Sequence, residues 1–142
     1  MAVSIARGAN NPLKIGIAGL GTVGLGVVKL LDENADILRL HCPRAIEVVA
    51  VSARDRKKDR GVDLKRFAWC DDPLSLPDHP DVDVVAEMIG GAEGPAKALV
   101  EKAIAKGKHV VTANKAQNRG VEEIESIAFG HHGTDLRTHA KG

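Results

Sequence analysis

The residues most able to do chemistry in this chain are three glycines in a row of six, Gly19-Leu20-Gly21-Thr22-Val23-Gly24. The spacing is G-x-G-x-x-G. It gains meaning here because it directly follows an Ile-rich apolar run, residues 13–19 (LKIGIAG), and opens a stretch with helical periodicity. In such a setting the first glycine makes the tight turn out of the strand. The second lets the backbone come close to a pyrophosphate, which a Cβ would block. The third lets the helix pack closely on the strand. The helix N-terminus then offers free N–H groups and the positive end of a dipole to the phosphates. A nucleotide-triphosphate P-loop is excluded, because G-x-x-x-x-G-K-[ST] needs a lysine that this segment lacks.

A dinucleotide site is further specified at the end of the second strand, where an Asp or Glu usually takes the ribose 2′-hydroxyl. Here that tip reads Val51-Ser52-Ala53-Arg54. The acid is missing and a guanidinium stands in its place, planar and able to bind a 2′-phosphate through two hydrogen bonds. Arg56, Lys57 and Lys58 add positive potential, and Ser52 could donate a further hydrogen bond. The expected cofactor is NADP, with NAD kept open by Asp55, which a small shift of register would bring to the ribose. FAD is disfavoured by the same missing carboxylate.

The elements that must position these residues alternate between strand and helix. Residues 22–40 carry apolar side chains at helical spacing, and residues 45–53 (AIEVVAVSA) read as a second strand. Residues 54–65 read as a charged loop, 66–70 as a short edge strand, and 71–81, with Pro73, Pro77 and Pro80, as a loop or broken turn. A third strong strand spans 83–89 (DVVAEMI). Gly94-Pro95 opens a helix that runs to Lys106 and ends at Gly107, and residues 108–112 (KHVVT) are the next strand. Strands separated by helices of this length give βαβ units. The expected fold is α/β, a Rossmann-like, mostly parallel, doubly wound sheet in a single domain.

Composition agrees. The 142 residues give room for one domain, and 44% apolar with 27% charged residues is ordinary for a globular protein. Twenty basic against nineteen acidic side chains leave a net charge of +1, so nothing points to nucleic acid. Aromatics are limited to Phe67, Trp69 and Phe129, too few for a base-stacking platform. Cys42 and Cys70 form no C-x-x-C pair and fit a reducing, cytoplasmic setting. No apolar run reaches the roughly 18 residues of a membrane span, and residues 1–11 lack the apolar core of a signal peptide. His131 and His132 are adjacent, with no carboxylate or Cys completing a familiar ligand spacing, so no metal is expected.

Taken together, the segments GIAGLGTVGLGVVKLL (16–31), VVAVSARDRKKDRGVDL (48–64), DVDVVAEMIGG (81–91) and GKHVVTANKA (107–116) resemble the N-terminal part of homoserine dehydrogenases. The glycine loop is generic; the ordered set A-R-D-R, E-x-I-G-G and T-A-N-K-A is not. The resemblance implies an enzyme of threonine and methionine biosynthesis that interconverts homoserine and aspartate semialdehyde with NADP or NAD. It implies that Gly19, Gly21, Thr22, Val23 and Gly24 form the pyrophosphate loop, and that Arg54 meets the adenosine ribose or its 2′-phosphate, with Lys57 or Lys58 in support. Glu87, Ile89 and Gly90 would lie where the ribose and nicotinamide pass, and Thr112, Ala113 and Asn114 would continue that edge. Lys115 matches the lysine of the family's N-K motif, a candidate for proton transfer at the substrate hydroxyl. A lysine can act as that base when desolvation or nearby positive charge lowers its pKa.

The resemblance divides the chain into an N-terminal extension (1–13), a dinucleotide-binding domain (14–116) and an atypical tail (117–142). Family members continue into substrate and dimerisation regions that have no counterpart in these residues. The expectation is a truncated chain that binds cofactor with little or no catalysis and tends to self-associate, its partners being the nucleotide and, in the full family enzyme, homoserine or aspartate semialdehyde. A catalytically inactive dinucleotide-binding fragment, or another Rossmann dehydrogenase, is the alternative.

Overall fold

The computed structural model describes residues 11–89 and 94–113. Five strands form one sheet: β1 (Leu13–Ala18), β2 (Ile46–Ser52), β3 (Ala68–Trp69), β4 (Val84–Glu87) and β5 (His109–Thr112). Their order is β3-β2-β1-β4-β5, and every pairing is parallel. The α/β, doubly wound reading therefore holds. The order reverses between β1 and β4, and ligands of such sheets bind in the crevice outside the carboxyl ends of the strands at that point.

Side-chain alternation along the strands builds two cores, one on each face of the sheet. Ala18, Ala50 and Val85 face one side, where Leu99 and Ala103 of the helix α3 (Pro95–Ala105) and Leu76 of a 3-10 helix (Pro73–Asp78) cover them. Ile17, Val51 and Ala86 face the other, against Val28 of α1 (Thr22–Glu33). Ile17, Leu76, Leu99 and Val28 are almost wholly removed from water, each such burial being worth roughly 1.5–3 kcal/mol relative to exposure. This two-sided burial explains why the strands read as continuous apolar runs rather than alternating ones.

Two elements depart from the sequence reading. The single helix expected over 22–40 is broken at Asn34 into α1 and α2 (Ala35–His41). The Asn34 side chain donates from Nδ2 to the Leu30 carbonyl oxygen at 2.8 Å, and its own backbone N–H donates to the same oxygen at 3.1 Å. An Asn that offers the backbone such a local alternative favours a helix end over a helix interior. The proline-rich stretch expected as a loop contains the 3-10 helix Pro73–Asp78. Its start is capped by Asp72, whose Oδ1 accepts from the Leu74 N–H at 2.9 Å. Pro73 sits at the start of that helix, where its missing N–H costs nothing.

Candidate functional site

The carboxyl ends of β2, β1 and β4 are tied together at the glycine turn. The Gly19 N–H donates to the Ser52 carbonyl at 2.8 Å, and the Met88 N–H donates to the Ala18 carbonyl at 2.8 Å. Gly19 has φ +96, a conformation that side chains with a Cβ rarely adopt. A Cβ there would also stand 2.8 Å from the Met88 carbonyl group. Gly24 is constrained by proximity instead, since its Cβ would lie 1.8 Å from the Gly19 carbonyl oxygen. The first turn of α1 is thereby laid directly against the end of β1.

Gly21 differs from both. A Cβ built on it meets nothing within 4 Å among the described residues, and Gly21, Thr22 and Val23 are exposed. Gly21 is the N-cap of α1, no side chain caps the helix, and no acidic residue stands in its first turn. A helix start of this kind has backbone donors without internal partners and the positive end of the macrodipole. The donors, the exposed glycine and a first turn without an acid fit a pyrophosphate.

Ser52, at the end of β2, is 2% exposed and supplies its carbonyl to Gly19. Arg54, Lys57 and Lys58 lie beyond it in an exposed loop. That loop is shaped by its own acids. Asp55 Oδ1 accepts from the Lys57 N–H, Asp59 Oδ1 from the Gly61 N–H and Asp63 Oδ1 from the Lys65 N–H, at 2.9, 2.9 and 3.0 Å. Its far end is pinned to α1 by an ion pair between Arg66 and Asp32. The hydrogen bond to Asp32 raises the Arg66 pKa above its ordinary value.

At the ends of β4 and β5, Glu87 is completely buried. Its Oε1 accepts from the Ile89 N–H and its Oε2 from the Thr112 hydroxyl, both at 2.6 Å, while its carbonyl accepts from the Ala113 N–H at 3.1 Å. Glu87, Ile89, Thr112 and Ala113 are thus brought together as the sequence reading grouped them. Gly90, Asn114 and Lys115 lie outside the described residues, as do His131 and His132. Among the described residues no group of three or more His, Cys, Asp or Glu side chains could hold a metal ion. No helix there is long and apolar enough to cross a membrane.

The sequence reading missed the surroundings of Trp69. Arg56 and Arg60 place their guanidinium carbons 6.0 and 5.9 Å from the centroid of its ring. The only signal was a lone tryptophan in a two-residue strand beside a basic loop.

Comparison with known proteins agrees with this geometry. Residues 19–128 match the family model described as homoserine dehydrogenase, NAD binding domain. The homoserine dehydrogenase of Bacillus subtilis (strain 168) is 45% identical over 105 residues, covering 72% of this chain and 24% of that protein. The crystal structure of the homoserine dehydrogenase from Thiobacillus denitrificans superposes with a TM-score of 0.74 at 37% identity, over 86% of this chain and 28% of that one. That of the S. aureus enzyme at pH 7.0 gives 0.73 at 28% identity, over 82% and 31%. The chain spans about a quarter of the length of the curated relatives it matches. A parallel sheet with this strand order, a glycine turn closed on it and a match over residues 19–128 lead to one conclusion: the chain belongs to the homoserine dehydrogenase family, within the NAD-binding domain.

Proposed function

We propose that this chain is the cofactor-binding part of an enzyme that moves a hydride between homoserine or aspartate semialdehyde and a nicotinamide dinucleotide, with NADP(H) preferred to NAD(H). The observation that carries the reading is the uncapped start of α1 behind Gly21, exposed to solvent and with no acidic residue in its first turn. Gly19 and Gly24 hold that helix start in place. The backbone N–H groups of Thr22 and Val23 would bind the pyrophosphate there. The preference for NADP rests on Arg54 at the tip of β2, where no acid precedes it, with Lys57 and Lys58 nearby.

When bound, the nicotinamide accepts or delivers the hydride. The chain's own residues bind and orient it. Glu87, which ties Ile89 to Thr112, would fix the strand ends beside which the ribose and nicotinamide lie, with Ala113 next to them; the family resemblance adds Gly90 and Asn114 to the cofactor contacts. Lys115 is the candidate to take the proton from the substrate hydroxyl on oxidation and return it on reduction. The assignment comes from the family's N-K motif. Expressed by itself, the 142-residue polypeptide would bind nucleotide and oxidise homoserine at or near background. Catalysis needs substrate held against the nicotinamide, and these residues match about a quarter of the relatives' length. Self-association through exposed apolar side chains such as Leu40 and Val111 belongs to the same reading, and light scattering tests it.

Calorimetric titration with NADPH and with NADH in one buffer tests the proposal. The expected result is saturable binding, tighter for NADPH, with Arg54→Ala weakening NADPH by about tenfold, the loss of one charge-assisted contact. A folded chain that binds neither nucleotide would overturn it.

A further inference from the structure

The loop between β2 and β3 spends its acids and keeps its bases. Asp55, Asp59 and Asp63 each accept a hydrogen bond from a backbone N–H two residues on. Among the described residues, no ion pair engages Arg54, Arg56, Lys57, Lys58 or Arg60. Residues 54–60 carry five cations against Asp55 and Asp59, a net positive loop. Two anchors fix the frame. Val62, Leu64 and Phe67 pack on the apolar face beneath α1, and Arg66 pairs with Asp32 while lying 4.6 Å from the Phe67 ring centroid. Arg60 donates from Nη1 to the Lys58 carbonyl at 3.2 Å, which folds its side chain back on the loop, and both Arg56 and Arg60 meet Trp69. The Trp69 Nε1–H donates to Asp71 Oδ1 at 2.9 Å, which sets the plane of the indole. It pairs in register with Val51, one residue before the end of β2. Arg56 and Arg60 both lie within about 6 Å of its ring centroid, the range over which an aromatic ring attracts a cation.

We propose that Trp69 is a positioning residue for an adenosine 2′-phosphate, holding Arg56 and Arg60 beside the tip of β2 so that they meet that phosphate together with Arg54. The ligand class is an adenosine nucleotide carrying a phosphate monoester on the ribose 2′-oxygen. The inference rests on the NADP reading above and extends it to Arg60 and Trp69. Its physical basis is preorganisation: cations already gathered on a rigid ring lose less freedom when the anion arrives.

The test uses the full chain and the fact that Trp69 is its one tryptophan. Indole fluorescence is followed on adding 2′,5′-ADP or 5′-AMP, and calorimetry gives affinities for NADPH and NADH. The expected result is a fluorescence change with 2′,5′-ADP that 5′-AMP does not match. Trp69→Leu and Arg60→Gln should each weaken NADPH by about three- to tenfold and leave NADH within about twofold, the scale of losing one cation–π or charge-assisted contact. Trp69→Phe, which keeps an aromatic face, should restore most of the NADPH affinity. The ratio of the two affinities is the deciding quantity, because a merely structural tryptophan would weaken both nucleotides alike. Equal weakening of both, or no change in either, overturns the inference. If Trp69→Leu fails to fold by circular dichroism, Arg56→Gln and Arg60→Gln decide on the same ratio. A wild-type chain that binds NADPH and NADH equally overturns this inference and leaves dinucleotide binding standing. One that binds neither overturns both.

Discussion

The Thr112 hydroxyl at the end of β5 donates a 2.6 Å hydrogen bond to the completely buried carboxyl group of Glu87 at the end of β4. The two residues are also direct partners in the strand register. The pair therefore joins the two strand ends by side chains as well as backbone, and the other Glu87 oxygen turns the chain at Ile89. Removing a hydrogen bond to a buried charged group costs about 1–3 kcal/mol. Thr112→Val, nearly the same shape, is expected to destabilise the fold by that amount. Glu87→Ala, which also empties space, should cost about 2–5 kcal/mol. The double variant should cost less than the sum of the two, because the partners touch. Urea unfolding of the four proteins measures this, and strict additivity would show that the bond adds nothing to stability.

Gly21 and Gly24 should respond oppositely to the same substitution. Gly24→Ala drives a Cβ to 1.8 Å from the Gly19 carbonyl oxygen, so α1 must move off the sheet. Overpacking of this kind typically costs 1–3 kcal/mol, and rigid backbone on the far side puts the expected loss at about 3 kcal/mol or more. Gly21→Ala meets open space at a φ of −77, so its melting temperature should barely change. Its nucleotide affinity should nonetheless fall by about tenfold or more, since the new methyl group occupies the approach to the α1 N-terminus. Thermal melts set beside calorimetry separate the two. A Gly21→Ala chain that keeps full affinity would remove the pyrophosphate from this turn.

What was legible in the sequence was whatever local pattern decides. The five strands, the glycine turn and the helix behind Pro95 all follow from apolar runs and punctuation, and they fix the strand ends where Gly19, Ser52, Glu87 and Thr112 meet. Asn34 was harder to place, because apolar spacing continues across it. Only the geometry of its side chain on the Leu30 carbonyl shows that the helix ends there. The gathering of Arg56 and Arg60 at Trp69 could not be read at all. It depends on β3 joining the sheet beside β2, and an edge strand expected over 66–70 does not say which strand it will pair with. The bonds of Glu87 are a similar case: beside the local Ile89 N–H, it accepts from the Thr112 hydroxyl, which depends on β5 pairing with β4.

The stability of the chain in acid should depend on one exposed carboxylate that joins two elements. Asp78, in the last turn of the 3-10 helix, accepts from Lys102 Nζ at 2.6 Å and faces Lys106 Nζ at 3.3 Å, both at the C-terminal end of α3. Lys102 also donates to the Leu74 carbonyl at 2.6 Å. The hydrogen bond from Lys102, followed by that from Lys106, lowers the Asp78 pKa below its ordinary value. A depressed carboxylate favours the folded state above the unfolded pKa of about 3.9, and the contribution disappears as pH falls through the folded value. Melting temperatures of wild type and Asp78→Asn should therefore differ by a constant amount from about pH 7 to 5 and converge below about pH 4. The site is open to water, so molar salt should shrink the gap. A gap that persists unchanged at pH 3, or one that salt does not touch, would mean that Asp78 acts through packing or local backbone effects rather than through its charge.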